Sequence, residues 1–270
     1  MRTQHARRDL VKLTLLGVLL VSLALAAGCA SDSEGQPSTG TNGAAPPASS
    51  ADSAKTVSNI SEEEAREVAG KILLTLRDFP AGWSQEPPEE EKEDPEFDSP
   101  PECQAFFEQE IPPGALVDID SPEFDGPDTE QVDSGATVYV DAEAAHQAFA
   151  DARDVYDRCR EPLRAAYTKY LGELLREEYP DANVEVTAFA MDWLSFPAYG
   201  DESLAMRMSV NMVVGDQTID AYTDMFGWRV GPIEGDMSFT NCFVPPDLEE
   251  EQRLAEIVEK RLREAAEDLD

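Results

Sequence analysis

The chain has 270 residues and carries 56 acidic against 21 basic side chains, a formal net charge of −35. A field of that sign repels polyanions, which argues against nucleic acid and anionic lipid headgroups as partners and leaves cations and basic peptides compatible. The acidic excess reads as a solubility trait spread over the surface.

The first 28 residues read as a lipoprotein signal peptide. Arg2, Arg7, Arg8 and Lys12 form a basic segment, followed by an apolar run from Leu13 to Ala27 and small residues before Cys29. This is the build of a secretory signal, and the run is shorter than the ~20 apolar residues of a spanning helix. Ala26, Ala27 and Gly28 ahead of Cys29 resemble a bacterial lipobox. That resemblance implies cleavage before Cys29, fatty acylation of its thiol and a chain held at the outer face of the cell membrane. Arg7-Arg8-Asp9-Leu10-Val11-Lys12 also resembles a twin-arginine motif, so both the Sec and the twin-arginine export routes stay open.

Residues 29–59 are rich in Ser, Gly, Ala, Pro and Thr and read as a flexible stalk. Residues 60–270 then form a single domain. Ser61 and Glu64 make a capping box for a helix whose Ala65, Val68, Ala69, Ile72, Leu73 and Leu76 recur at helical spacing, ended by Pro80 and Gly82. Glu86 to Asp98 is a carboxylate-rich, proline-punctuated run expected to be a solvated loop. Neither it nor Val117–Asp133 has the ligand spacing of a calcium loop, so no metal site is assigned.

Ala136–Val140 reads as a strand, Asp141 caps a helix to about Arg160, and Pro162 fits the first turn of another reaching Glu178. Asn183–Trp193 adds a strand. In the next, Leu204, Met206, Met208, Val210, Met212 and Val214 alternate with smaller or polar residues, the period of a half-buried strand. Gly215-Asp216 predicts a hairpin turn into a strand from Gln217 to Val230, Gly235–Phe243 supplies another, and a helix capped by Asp247 closes the chain. Short turns between consecutive strands predict an α+β domain, a mainly antiparallel sheet of about five strands covered by helices.

Beyond Cys29 the cysteines are Cys103, Cys159 and Cys242. Cys159 lies on the apolar stripe Ala145, Phe149, Ala152, Tyr156, Cys159 and should face inward, which favours a bridge to Cys103 and leaves Cys242 as a buried thiol. A Cys159–Cys242 bridge stays open on sequence alone. His146 is the one histidine outside the signal, and helix geometry puts it roughly 20 Å from Cys159, too far for a Cys–His pair. No zinc cluster, phosphate-binding glycine loop or dinucleotide fingerprint is present, so no cofactor and no catalytic residue is assigned.

The methionines after Met1 all fall on or beside predicted strands. Met206 and Met208, with Trp193, Tyr222 and Trp228, are the candidate ligand-binding residues, since thioethers and aromatic rings can line adaptable pockets, although filling the core is their commoner role.

Three stretches occur together: Leu76-Arg77-Asp78-Phe79-Pro80-Ala81-Gly82-Trp83, Val138-Tyr139-Val140-Asp141-Ala142-Glu143-Ala144-Ala145 leading to Cys159, and Arg229-Val230-Gly231. They resemble the PknH-like extracellular sensor domain, found on actinobacterial serine/threonine kinases and on free lipoproteins. The resemblance implies a helix-backed sheet, a cleft for an unidentified ligand and two disulfides, of which Cys103 and Cys159 match one by placement. The second is not matched.

The expectation is therefore a non-enzymatic lipoprotein that presents a binding or sensing domain to a small-molecule, cell-wall or protein ligand. A lipid or glycolipid carrier is the alternative and needs a large apolar cavity. A hydrolase working through carboxylates or a serine comes third.

Overall fold

The computed structural model describes residues 60–85, 97, 99–101, 103 and 111–269. Cys29, the stalk and most of the Glu86–Asp98 run lie outside the described residues.

Helix α1 (Glu62–Ile72) starts as its capping box dictates, with the Glu64 backbone N–H donating to Ser61 Oγ and the Ser61 N–H to Glu64 Oε2 at 2.8 Å. It ends earlier than the apolar spacing predicts. Leu73 leaves the helical region, the Leu74 N–H donates to the buried Ser134 Oγ at 2.9 Å, and Leu76–Asp78 form a separate 3-10 turn. A buried hydroxyl acceptor thus replaces the next helical bond.

The sheet has eight strands rather than about five. The additions are β1 (Ser84–Gln85), β2 (Ala115–Asp120) and β3 (Phe124–Asp125), ahead of β4 (Gln131–Tyr139). Val117–Asp133, treated from sequence only as a candidate calcium loop, thus supplies most of β2, all of β3 and the start of β4. Two-residue strands carry no period, and β2 alternates apolar with polar residues only over the four positions Val117 to Asp120, a stretch short enough to pass for a carboxylate-rich loop. The remaining strands are β5 (Val184–Trp193), β6 (Glu202–Val214), β7 (Gln217–Val230) and β8 (Ile233–Cys242). The order is β1-β3-β4-β8-β7-β6-β5, with β2 also paired to β4, and every pairing is antiparallel. β3 and β2 follow one another along a single edge of β4, opposite Gln131–Val132 and Gly135–Tyr139 respectively. Gly215, at φ 63°, makes the predicted turn between β6 and β7.

Between β4 and β5 the chain forms one 37-residue helix, α2 (Ala142–Glu178), where a break at Pro162 was expected. Proline removes one intrahelical bond at a cost of about 3 kcal/mol. The helix continues because Cys159, Leu163, Tyr167, Leu171 and Leu174 form one buried stripe on both sides of Pro162, and burying such side chains at about 1.5–3 kcal/mol each outweighs the lost bond.

The sheet buries both faces. One packs under α2 through Phe189, Met191, Met206, Met208, Val210 and Met212. The other packs on α1 and the last helix, α3 (Leu248–Asp268), through Val132, Ala136, Val138, Phe226, Trp228, Met237 and Phe239. Cys103 and Cys159 are bonded, with Cα atoms 5.8 Å apart, tying α2 to the segment before β2. Cys242 is buried and takes no part in a disulfide.

Candidate functional site

Strand alternation divides β4 and β8 cleanly. Val132, Ala136, Val138, Ile233, Met237 and Phe239 belong to the core under α1 and α3. Gln131, Asp133, Gly135, Thr137 and Tyr139, with Glu234, Asp236, Ser238 and Thr240, therefore point to the α2 side. The same parity puts Asp118 and Asp120 of β2 on that face, opposite Thr137 and Gly135. Under α2 the face is apolar on β5 and β6 and becomes polar and acidic on β8, β4 and β2. None of β2, β4 and β8 contains a lysine or arginine.

Most of the described hydroxyl and amide donors on this face are committed to carboxylates. Thr137 Oγ1 donates to Asp118 Oδ1 at 2.5 Å, Tyr139 OH to Glu234 Oε2 at 2.8 Å, and Ser238 Oγ to Asp133 Oδ2. Gln131 Nε2 donates to Glu123 Oε1 at 2.9 Å and to Asp125 Oδ1 at 3.1 Å. Thr223 and Thr240 hydroxyls pair at 3.1 Å across β7 and β8. Asp236 lies over Gly135, where a Cβ would fall 2.5 Å from Asp236 Oδ2, so only glycine leaves room for that carboxylate.

Asp133 is buried, and burial raises its pKa to about 6, with the Ser238 hydroxyl pulling the other way. The Gln131 Oε1 is buried and has no hydrogen-bond partner. The face is thus rich in acceptors, most of them anionic, and poor in donors. Among the described residues no group of three or more His, Cys, Asp or Glu side chains is placed to hold a metal ion.

The five residues singled out from sequence do not line one pocket. Met206 and Met208 are packed in the core under α2. Trp193, at the end of β5, is 41% exposed, donates its indole N–H to Asp157 Oδ1 at 3.0 Å and meets Tyr156 edge-on. Tyr222 and Trp228 are on the opposite face. There the Arg207 guanidinium carbon stands 5.9 Å from the Tyr222 ring centre, and Trp228 lines a recess with Leu194, Phe196, Tyr199, Ala205 and Phe226. That recess has a volume of ≈ 110 Å³, well below the ~300 Å³ at which drug-sized ligands are normally enclosed.

His146 is exposed on α2 and its Nδ1 lies 2.8 Å from Glu202 Oε2, which also accepts from Arg229 Nε at 2.7 Å. The imidazole serves an ion-pair network. The carboxylate face was missed because its members alternate with core residues on strands distant in sequence. The one local signal is the alternation of core residues with Gln131, Asp133 and Thr137 in β4 and with Glu234, Asp236, Ser238 and Thr240 in β8.

No family model matches the chain, and no curated protein matches it. Among solved structures the chain is similar to the extracellular domain of PknH from Mycobacterium tuberculosis, at 13% identity and a TM-score of 0.44, over 74% of this chain and 97% of that one.

Proposed function

We propose that this chain is an exported, membrane-tethered binding module of the sensor type, acylated at Cys29, held off the membrane by residues 29–59, and binding its ligand or partner on the carboxylate-bearing half of the sheet. The signal, the lipobox and the stalk composition support the address. The observation that carries the binding reading is the α2-side face of β4 and β8. Sheets normally close such a face with apolar side chains, and here Asp133, Thr137, Thr240 and Gln131 are buried in their place. Buried polar groups cost stability unless they are satisfied, so a face that keeps them is maintained for what they contact. The methionine face favours packing over carriage, because Met206, Met208 and Met212 are in contact with the α2 stripe.

Two measurements test the two halves of this reading. Metabolic labelling with a lipid precursor should mark the wild-type chain and leave the Cys29→Ala chain unlabelled; a soluble, unlabelled wild type overturns the tether. Native mass spectrometry of the full-length chain from its own host, before and after organic extraction, should show a co-purifying polar mass that the extraction leaves bound. A lipid-sized mass removed by extraction would put the carrier alternative in front.

A further inference from the structure

Two side chains of the same strand face call for one kind of partner. Asp133 is a buried carboxylate whose described donor is a single neutral hydroxyl, Ser238 Oγ. Gln131 has its amide orientation set by its neighbours: both partners of Nε2 are carboxylates, which accept only, so the nitrogen must face Glu123 and Asp125. The other atom of that amide, Oε1, is buried without a donor. Gln131 and Asp133 are two residues apart on one face of β4, about 7 Å along the strand. An unpaired buried acceptor and an uncompensated buried carboxylate are each costly alone, and here they stand side by side.

A water molecule would give Gln131 a donor but would bring Asp133 no charge. A metal ion would bring charge but wants several oxygen ligands at once, and no such group is assembled among the described residues. A cationic nitrogen with several N–H bonds supplies both needs. The absence of Lys and Arg from β2, β4 and β8 means that these strands provide no such group themselves.

We infer that the α2-side face of β4 holds a site for a ligand bearing a cationic N–H group, guanidinium or ammonium, with the Asp133 carboxylate and Gln131 Oε1 as its paired acceptors. The inference rests on the binding reading above and names the ligand class of that same face. Asp236 and Ser238, next along β8, are half-buried beside the pair. Charge-assisted hydrogen bonds from the ligand to Asp133 set the affinity, and Gln131 sets the orientation.

The test titrates the full-length chain, at physiological salt to screen its general acidity, with L-arginine amide as the guanidinium probe and putrescine as the ammonium probe. L-Citrulline amide serves as the neutral isostere of the first, and calcium chloride as the metal probe. Saturable one-to-one binding is expected for one or both cationic probes and none for citrulline amide. Which of the two binds identifies the headgroup.

Asp133→Asn should weaken binding by roughly tenfold or more, while Asp216→Asn, the same charge change in the exposed β6–β7 turn, should leave it unaltered. In the wild type alone, bound probe should shift the amide resonances of β4 and β8, a readout that no variant's folding can confound. Binding should also weaken as the pH falls from 7.5 to 5.5, because Asp133 takes up a proton near 6. Equal effects of Asp133→Asn and Asp216→Asn, binding of calcium alone, or no binding by either cationic probe overturns the inference. If neither cationic probe binds but a neutral polar ligand co-purifies and is lost in Asp133→Asn, the ligand class falls and the binding face stands. If nothing co-purifies either, both fall.

Discussion

Glu251, in the first turn of α3, is fully buried against Asp224 of β7, whose own carboxylate accepts from Arg207 Nε at 2.6 Å. Burial first, then the hydrogen bond and charge of Asp224, raise the Glu251 pKa to about 9, so Glu251 is protonated at neutral pH and its hydroxyl can donate to Asp224. Because the folded pKa lies above the unfolded one, the contribution to stability is full below the ordinary carboxylate range and is lost as the pH rises towards 9. Glu251→Gln keeps a donor and removes the titration. Its stability should fall less than the wild type's between pH 5 and pH 9, with the gap between the two widening steadily towards the alkaline end. Parallel pH curves for the two proteins would sink this account.

The opposite sign is expected at Glu202. Burial opposes its ionisation, but hydrogen bonds from His146 and Arg229 hold its carboxyl below the ordinary range. That stability is present above the unfolded pKa and disappears as the pH drops through the folded value. Glu202→Gln leaves the largely buried Arg229 guanidinium with the carbonyl of Gly231 at 2.8 Å and the more distant Asp201 at 3.7 Å. It should cost about 1–3 kcal/mol at pH 7 by denaturant titration, and the cost should shrink as the pH falls through the folded value.

Gly200 and Gly70 should respond in opposite directions to the same substitution. Gly200 has φ +64°, and a Cβ there would lie 2.4 Å from the Arg229 carbonyl oxygen, a backbone atom that also accepts from the Asp201 N–H. Gly200→Ala should lower stability by about 2 kcal/mol or more. Gly70 lies in α1 with open space around its position, so Gly70→Ala should raise stability by about 0.5–1 kcal/mol. Equal melting shifts would show that the β5–β6 connection is looser than described.

Reducing the Cys103–Cys159 bond opens a loop with a sequence separation of 56, which corresponds to a loss of about 2–4 kcal/mol. Apart from Cys29, thiol titration should find one thiol, Cys242, reacting only after denaturation. Reaction of Cys242 in the native state contradicts its burial, and three reactive thiols after denaturation contradict the pairing.

Pro162→Ala should restore the missing N–H within α2 and raise stability by about 1 kcal/mol, the helical gain being partly offset by a freer unfolded chain. A loss of stability would mean that the proline ring itself fills the stripe beside Leu163.

Local chemistry made much of the architecture legible. The Ser61–Glu64 box, the Asp141 and Asp247 caps, the alternation from Leu204 to Val214 and the Gly215 turn depend on residues within a few positions of one another, and each appears as its spacing predicts. A missed strand is as instructive as a read one: β3 is two residues long, and only its pairing with Gln131 and Val132 on one side and with Ser84 and Gln85 on the other makes it a strand.

Long-range packing decided the rest. Whether α2 breaks at Pro162 depends on the buried stripe and the bond to Cys103, neither of which is visible in a local window. The candidate site is the clearest case. Strand parity sends Asp133 and Ser238 each to one side of its own strand, which sequence alone determines to within a sign. That the two sides coincide, so that a hydroxyl 105 residues away meets the Asp133 carboxylate on a face shared with Gln131, follows from the antiparallel register of β4 with β8. Side-chain alternation is a property of one strand, whereas the neighbour across the ladder is chosen by the burial of the whole sheet.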